Sequence, residues 1–197
     1  MAPTTFKTEP GTRARILDVA ERLVQTRGFN GFSYADVAAE VGVTKASLHY
    51  HFPGKAELGE ALVARYSERF GIELARIDED GLAPNAKLAA YAGLYANVLR
   101  QQRMCLCGML AAEYETLPAA MRDAILRFFD ENLVWLREVI EQGRADRTMS
   151  FDGTADDGAQ TILGGLEGAM LVARPYGDVA RFEAAAARLV AGLTGAR

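Results

Sequence analysis

Residues 33–58 read SYADVAAEVGVTKASLHYHFPGKAEL, and the fold follows from how this stretch is parsed. It divides into two short helices joined by a tight turn, with a third helix beginning at once. That is the layout of a helix-turn-helix, whose second helix enters the DNA major groove. Ser33 is a good N-cap, and Asp36 stands three residues on, as in a capping box. Val37, Ala38 and Val41 form the inner face of the first helix. Gly42 marks the turn, because glycine takes left-handed backbone angles at little cost. Thr44 caps the second helix. Lys45, Ser47, His49 and Tyr50 then lie near its N-terminal end, where side chains reach bases and phosphates, while Leu48 and Phe52 point back into a small core.

The run Gly42-Val43-Thr44-Lys45-Ala46-Ser47-Leu48-His49-Tyr50-His51-Phe52-Pro53-Gly54-Lys55-Ala56-Glu57-Leu58 resembles the TetR family of transcriptional regulators. The family pattern here is Gly-Val-Ser/Thr-Lys-Gly/Ala-x-Leu-Tyr-x-His-Phe-x-x-Lys-x-x-Leu, and the resemblance covers about residues 10–60. It implies an all-α protein: a three-helix DNA-binding head at residues 1–55 and a larger helical body at 56–197 for ligand binding and dimerisation. One residue departs from the pattern. The usual Tyr, a phosphate contact in the family, is His49, which makes the contact more dependent on pH. The resemblance also implies a backbone contact from Lys55, at the start of the fourth helix. The candidate DNA-contacting set is therefore Arg13, Ser33, Tyr34, Thr44, Lys45, Ser47, His49, Tyr50, His51 and Lys55. A helical hairpin with no role on DNA is the competing reading of the motif.

Composition agrees. Half of the 197 residues are hydrophobic, enough for a sizeable core. No apolar run approaches the roughly 18 residues of a membrane span. The opening MAPTTFKTEPGTR lacks the apolar core of a secretory signal and reads as a disordered arm. Two cysteines spaced Cys-x-Cys make no disulfide framework, so the cytoplasm is the default compartment. The formal net charge is −4, but it is unevenly spread: residues 1–55 carry +2 and the remainder −6. The basic surplus lies with the motif, as an electrostatic footprint requires. It is small, so two heads are needed for affinity.

Before the motif, Ile16, Ala20, Leu23 and Val24 form the stripe of a helix over 12–28, which Gly28 ends. The fourth helix is expected to run from Lys55 to about Asp80. Asn85 is the expected cap of the next. A short helix follows over about 104–115, and Pro118 opens a long one that ends near Gly143. A polar loop at 146–153 precedes two final helices, about 154–174 and 178–194, split by Pro175 and Gly177.

Those two helices carry the candidate homodimer interface: Gly164, Gly165, Gly168, Ala169, Phe182 and Leu189. Glycine is costly inside a helix unless its smallness is used, and close approach of another helix is such a use. The family resemblance implies a four-helix dimer bundle here; the alternative is packing within one chain. The candidate lining of an effector site is Tyr91, Tyr95, Met104, Cys105, Met109, Glu113, Phe128, Phe129, Asn132 and Trp135, although an aromatic stripe at helical spacing also suits a core. Asn132 falls on an apolar stripe, and its buried amide needs a partner in backbone, Glu113 or ligand. Two readings of Cys105 and Cys107 stay open. Either both are small buried hydrophobes, or Cys105 at a helix start near Arg100 and Arg103 is a thiolate that senses electrophiles or oxidants.

An enzyme does not fit. The two histidines, His49 and His51, both lie inside the motif, so the body has none to activate a nucleophile or bind a metal. Neither a glycine-rich phosphate loop nor a G-x-S-x-G stretch is present. No cofactor or metal is expected. The reading is a homodimeric, ligand-responsive DNA-binding regulator, a repressor released from a palindromic operator by a small molecule. A redox-sensing repressor and a non-regulatory DNA-binding module are the alternatives.

Overall fold

The computed structural model describes residues 11–194, which form helices without a strand among them. The expected N-terminal arm lies almost wholly outside the described residues. The head comprises α1 (Thr12–Arg27), α2 (Tyr34–Val41) and α3 (Lys45–His51). Ser33 caps α2 in a reciprocal box: its hydroxyl accepts from the Asp36 amide, and the Asp36 carboxylate accepts from the Ser33 amide at 2.6 Å. The Ser33 hydroxyl, which donates to the same carboxylate at 2.7 Å, and then the Ser33 amide hold the Asp36 carboxyl below its ordinary range. Gly42 ends α2 at φ 76° and ψ 36°, a left-handed conformation that only glycine adopts cheaply. Thr44 caps α3 by accepting from the Ser47 amide. Ile16, Val24, Val37, Leu48 and Phe52 close the small core between the three helices.

The 25-residue α4 (Lys55–Glu79) joins the head to the body. It is tied to α1 by ionic contacts that are not apparent in the sequence. Glu21 is buried, and its carboxylate takes Arg65 at 2.7 Å and Arg69 at 3.2 Å. Arg65 also reaches Asp18 at 2.8 Å. Removing one partner of a buried pair leaves an uncompensated charge, which costs about 3–5 kcal/mol.

The body is built from α5 (Pro84–Arg100), α6 (Leu106–Ala111), α7 (Ala119–Ala145), α8 (Ala155–Ala173) and α9 (Val179–Leu193). Asn85 is not the cap of α5: Ala83 holds that position and Pro84 opens the helix, where a missing N–H costs nothing. α6 is shorter than the expected 104–115: it starts after the N-cap Cys105, and the Met104 amide before it bonds to the Gln25 carbonyl of α1 at 3.1 Å. A 3-10 turn over Tyr114–Thr116 completes that segment. Pro118 caps α7, which runs two residues past Gly143. Thr154 and Asp157 cap α8 as Ser33 and Asp36 cap α2.

The glycines of α8 serve two different faces. A Cβ on Gly165 would strike Leu189 of α9 in the same chain at 2.7 Å, whereas Gly164 and Gly168 have open space before them. Phe182 is buried within the chain. Gly165 and Leu189 therefore meet across the α8–α9 contact of one chain, where Phe182 is also buried; both Gly165 and Leu189 stay partly exposed. Gly164 and Gly168 share the outward side of α8 with exposed Leu171 and Val172, and Ala169 is only partly buried. Substituting Gly165→Leu should lower chain stability by about 1–3 kcal/mol through overpacking. Gly168→Leu should leave unfolding unchanged and weaken self-association. Thermal melts and sedimentation velocity read the two effects separately, and matching behaviour of the variants would contradict the division.

Candidate nucleic-acid interface and effector region

The outer surface of α3 is presented by its cap and by Leu48 anchored beneath it. Tyr50 is 85% exposed, a large aromatic left in water, and Lys45 beside it is exposed. His51 packs its ring edge-on to Tyr50 at 5.3 Å. Together they form an aromatic and cationic surface at the helix that a groove would receive. Ser47 is half-buried on the same helix.

Several expected contacts are turned inward. The Lys55 ammonium donates to the carbonyls of Phe29 and Phe32, both at 2.5 Å, and lies over both rings at 4.7 and 4.3 Å. Desolvation holds its pKa below the ordinary lysine value. Lys55 thus braces the corner between α1 and α2 while staying partly exposed. The Tyr34 hydroxyl donates to the carbonyls of Phe52 and Gly54, and burial pushes its pKa to about 12. Ser33 and Thr44 act as caps. Arg13 stacks over Phe52 at 5.0 Å, and Arg15 donates to the Val41 carbonyl at 2.6 Å. His49 rests on Tyr34 with ring centroids 4.9 Å apart, and its Nδ1 meets the Pro53 carbonyl at 3.0 Å. With Nδ1–H donated there, a neutral ring offers only an acceptor at Nε2, so a phosphate contact from Nε2 needs the doubly protonated imidazole.

In the body, the aromatic candidates pack ring against ring. Tyr91 stacks on Trp135 at 5.5 Å, and its hydroxyl meets Tyr95 at 3.0 Å and donates to Asn132 Oδ1 at 2.9 Å. Asn132 Nδ2 donates to the Phe128 carbonyl at 2.7 Å. The buried amide is therefore satisfied by Tyr91 and backbone, not by Glu113. Trp135 donates to Asp78 at 2.9 Å, and Phe129 meets Phe128 edge-on at 5.6 Å. Met104 is buried against α1.

Cys105 and Cys107 are both buried. Tyr66 donates to Cys105 Sγ at 3.6 Å. Burial, reinforced by the Glu167 carboxylate, pushes both thiols well above their ordinary pKa. Arg100 does not assist: it is bound to Asn97 and Glu183. The expectation of a thiolate at Cys105 is thus overturned, because desolvation outweighs whatever a six-residue helix start supplies. Glu167 is absent from the expected site. Its Oε1 is sealed from solvent without a hydrogen-bond partner. Its one sequence signal is its isolation as the only charge in TILGGLEGAMLVA, residues 161–173.

Two further expected residues form a clasp between head and body. The Glu113 carboxylate accepts from the amides of Phe29 at 2.6 Å and Asn30 at 3.2 Å. Asn30 Nδ2 donates to Thr116 at 2.8 Å. Arg174, just past α8, donates to the Thr26 carbonyl and touches Met109 Sδ at 3.3 Å. Glu113 and Met109 both take part in this clasp. Gly28 makes the approach possible: it sits at φ 82°, and a Cβ there would lie 2.7 Å from Glu113 Oε1.

Lys45→Ala should weaken DNA binding across all sequences and lower the slope of log affinity against log salt by about one unit. Lys55→Ala should leave that slope unchanged and destabilise the head by about 1–3 kcal/mol, since it orphans two carbonyls. A reduced slope for Lys55→Ala would restore it to the phosphate contacts.

Two family models match the chain: bacterial regulatory proteins of the tetR family over residues 16–62, and the tetracyclin repressor-like C-terminal domain over 84–189. The HTH-type transcriptional repressor NemR of Escherichia coli K12 is 27% identical over 171 residues, 85% of this chain and 86% of that protein. The crystal structure of a TetR-family regulator from Agrobacterium tumefaciens superposes with a TM-score of 0.89 at 32% identity, covering 93% of this chain and 98% of the other. A TetR regulator from Legionella pneumophila gives 0.80 at 30% identity, over 98% and 100%. The capped helix-turn-helix and the helical body behind it are those of this group, and the chain belongs to the TetR family of DNA-binding transcriptional regulators.

Proposed function

We propose that the chain acts in the cytoplasm as a homodimeric repressor, holding a palindromic operator with two copies of α3 until a small molecule binds the body. The observation that carries this reading is the exposed face of α3, with Lys45 and Tyr50 free while its inner face is locked by Leu48. Repression is taken from the relatives that bear that name, NemR among them. Among the described residues, no helix is long and apolar enough to cross a membrane.

Dimerisation is assigned to the outward side of α8 at Gly164, Gly168, Leu171 and Val172, with α9 beside it. One head carries few free cations, so two are required for useful affinity. The functional division follows the expected one, a head at residues 1–55 and a body at 56–197. α4 belongs physically to both, because Lys55 binds its start to the head and Glu21 takes Arg65 and Arg69 at its middle, while Tyr66 enters the body core. A ligand that repacks α6 or α8 acts on the head through Glu113 and Arg174 as well as through α4. Such a ligand shifts the equilibrium only by its differential affinity for the two head spacings.

Footprinting of the purified dimer on the DNA flanking its own gene tests the proposal. Protection of two half-sites about one helical turn apart, centre to centre, is expected. Unsaturable binding along the fragment would instead indicate a non-regulatory DNA-binding module.

A further inference from the structure

Arg174 holds two unlike acceptors at once. One terminal nitrogen donates to the Thr26 carbonyl in the last turn of α1, and the other reaches Met109 Sδ of α6 at 3.3 Å. The Thr26 carbonyl needs this donor. Were α1 to continue, the Asn30 amide would take it, but α1 ends at Gly28 and that amide goes to Glu113 at 3.2 Å. Arg174 therefore caps α1 in place of backbone, and Met109 shares its guanidinium. α6 is itself held to α1, because the Met104 amide just before it bonds to the Gln25 carbonyl at 3.1 Å.

Sulfur chemistry singles out the same residue. Among the methionines of the described residues, Met104, Met121, Met149 and Met170 are buried, and Met109 is partly exposed. Cys105 and Cys107 are buried too, and their thiols are held protonated. A thiol must ionise before it attacks an oxidant, whereas a thioether has no proton to lose. Among the described residues, the most accessible oxidisable sulfur is thus the one that touches the arginine capping α1.

We propose that Met109 is an oxidation site that uncaps α1: a peroxide converts its thioether to the sulfoxide, and Arg174 is displaced from the Thr26 carbonyl. The sulfur lone pair attacks one peroxide oxygen and the O–O bond breaks. The departing hydroxide takes the remaining proton and leaves as water, so the sulfur loses two electrons and the peroxide gains them. A weak thioether acceptor becomes a polar S=O group. Either sulfoxide epimer disturbs the pair. An oxygen facing Arg174 would lie well inside hydrogen-bond distance of a nitrogen 3.3 Å from the sulfur, forcing the two apart. An oxygen facing water draws the guanidinium toward itself. In both cases Thr26 loses its donor, the end of α1 loosens, and the head that packs on α1 changes its orientation. This input to a DNA-binding regulator requires no effector in the body.

The test treats the purified full-length protein with hydrogen peroxide and locates the added oxygen by peptide mass spectrometry. Met109 should be oxidised at least about tenfold faster than the four buried methionines and the two cysteines. Hydrogen exchange in the last turn of α1 should then rise, and binding to the DNA flanking its own gene should weaken at least about fivefold. Both changes should reverse with the two methionine sulfoxide reductases and persist with dithiothreitol alone, which restores thiols only. Met109→Leu, which nearly keeps the side-chain volume, should make treated and untreated protein alike. In Arg174→Ala, oxidation of Met109 should have no further effect on α1. Preferential oxidation of Cys105 or Cys107, reversal by dithiothreitol alone, or Met109 sulfoxide without change at α1 overturns the assignment. Raised exchange with unchanged affinity for a mapped operator sinks its regulatory role. The exchange measurement needs no DNA, so its outcome is separate from that of the operator footprint.

Discussion

A carboxylate from the body, Glu113, closes on two backbone amides of the head, those of Phe29 and Asn30. Those amides follow Gly28, where α1 ends and the chain turns toward the helix-turn-helix. From the other side of the same corner, the Lys55 ammonium takes the carbonyls of Phe29 and Phe32. The corner therefore has its donors held by an acid and its acceptors by a base. Charge-assisted bonds are about twice as strong as neutral ones. This corner fixes the angle at which α3 leaves the body, so the direction in which Tyr50 and Lys45 point depends on it.

Arg174 extends the same logic to the candidate dimer helix. It sits at the end of α8 and holds the Thr26 carbonyl of α1. A change in α8 packing thus has a direct path to the head, shorter than the length of α4. The glycines of α8 are divided accordingly: Gly165 brings α9 close within the chain, and Gly164 and Gly168 leave the outer side open. Between these fixed points lies the aromatic interior, with the half-buried Glu167 beside Cys105 at its edge.

Much of the head was legible in the sequence because its determinants are local. Ser33 with Asp36, Gly42 and Thr44 lie within a few residues of the groups they satisfy, and capping chemistry identifies them. Helix ends set by distant partners were less legible. α6 begins late, after Cys105, and Met104 before it bonds to Gln25, 79 residues earlier in the chain. The contacts of Lys55 and Glu113 were hidden for the same reason: motif position suggests a phosphate for one, polarity in an apolar body suggests a ligand for the other, and only the fold brings both to Phe29. Of the two readings left open for Cys105, burial favours the small hydrophobe: a helix start favours a thiolate locally, but desolvation dominates. Glu167 was overlooked although its isolation among apolar and small residues was in plain view.

The central claim is that the clasp at Phe29 and Asn30 sets head orientation. Spin labels attached through Ala46→Cys on exposed α3 of each protomer would report the distance between heads by double electron–electron resonance, and the native cysteines, both buried, leave the label selective. A single narrow distribution is predicted for the otherwise unsubstituted dimer, and a broad or displaced one when Glu113→Ala is added. An unchanged narrow distribution in the Glu113→Ala dimer would contradict the account and leave α4 alone to orient the heads.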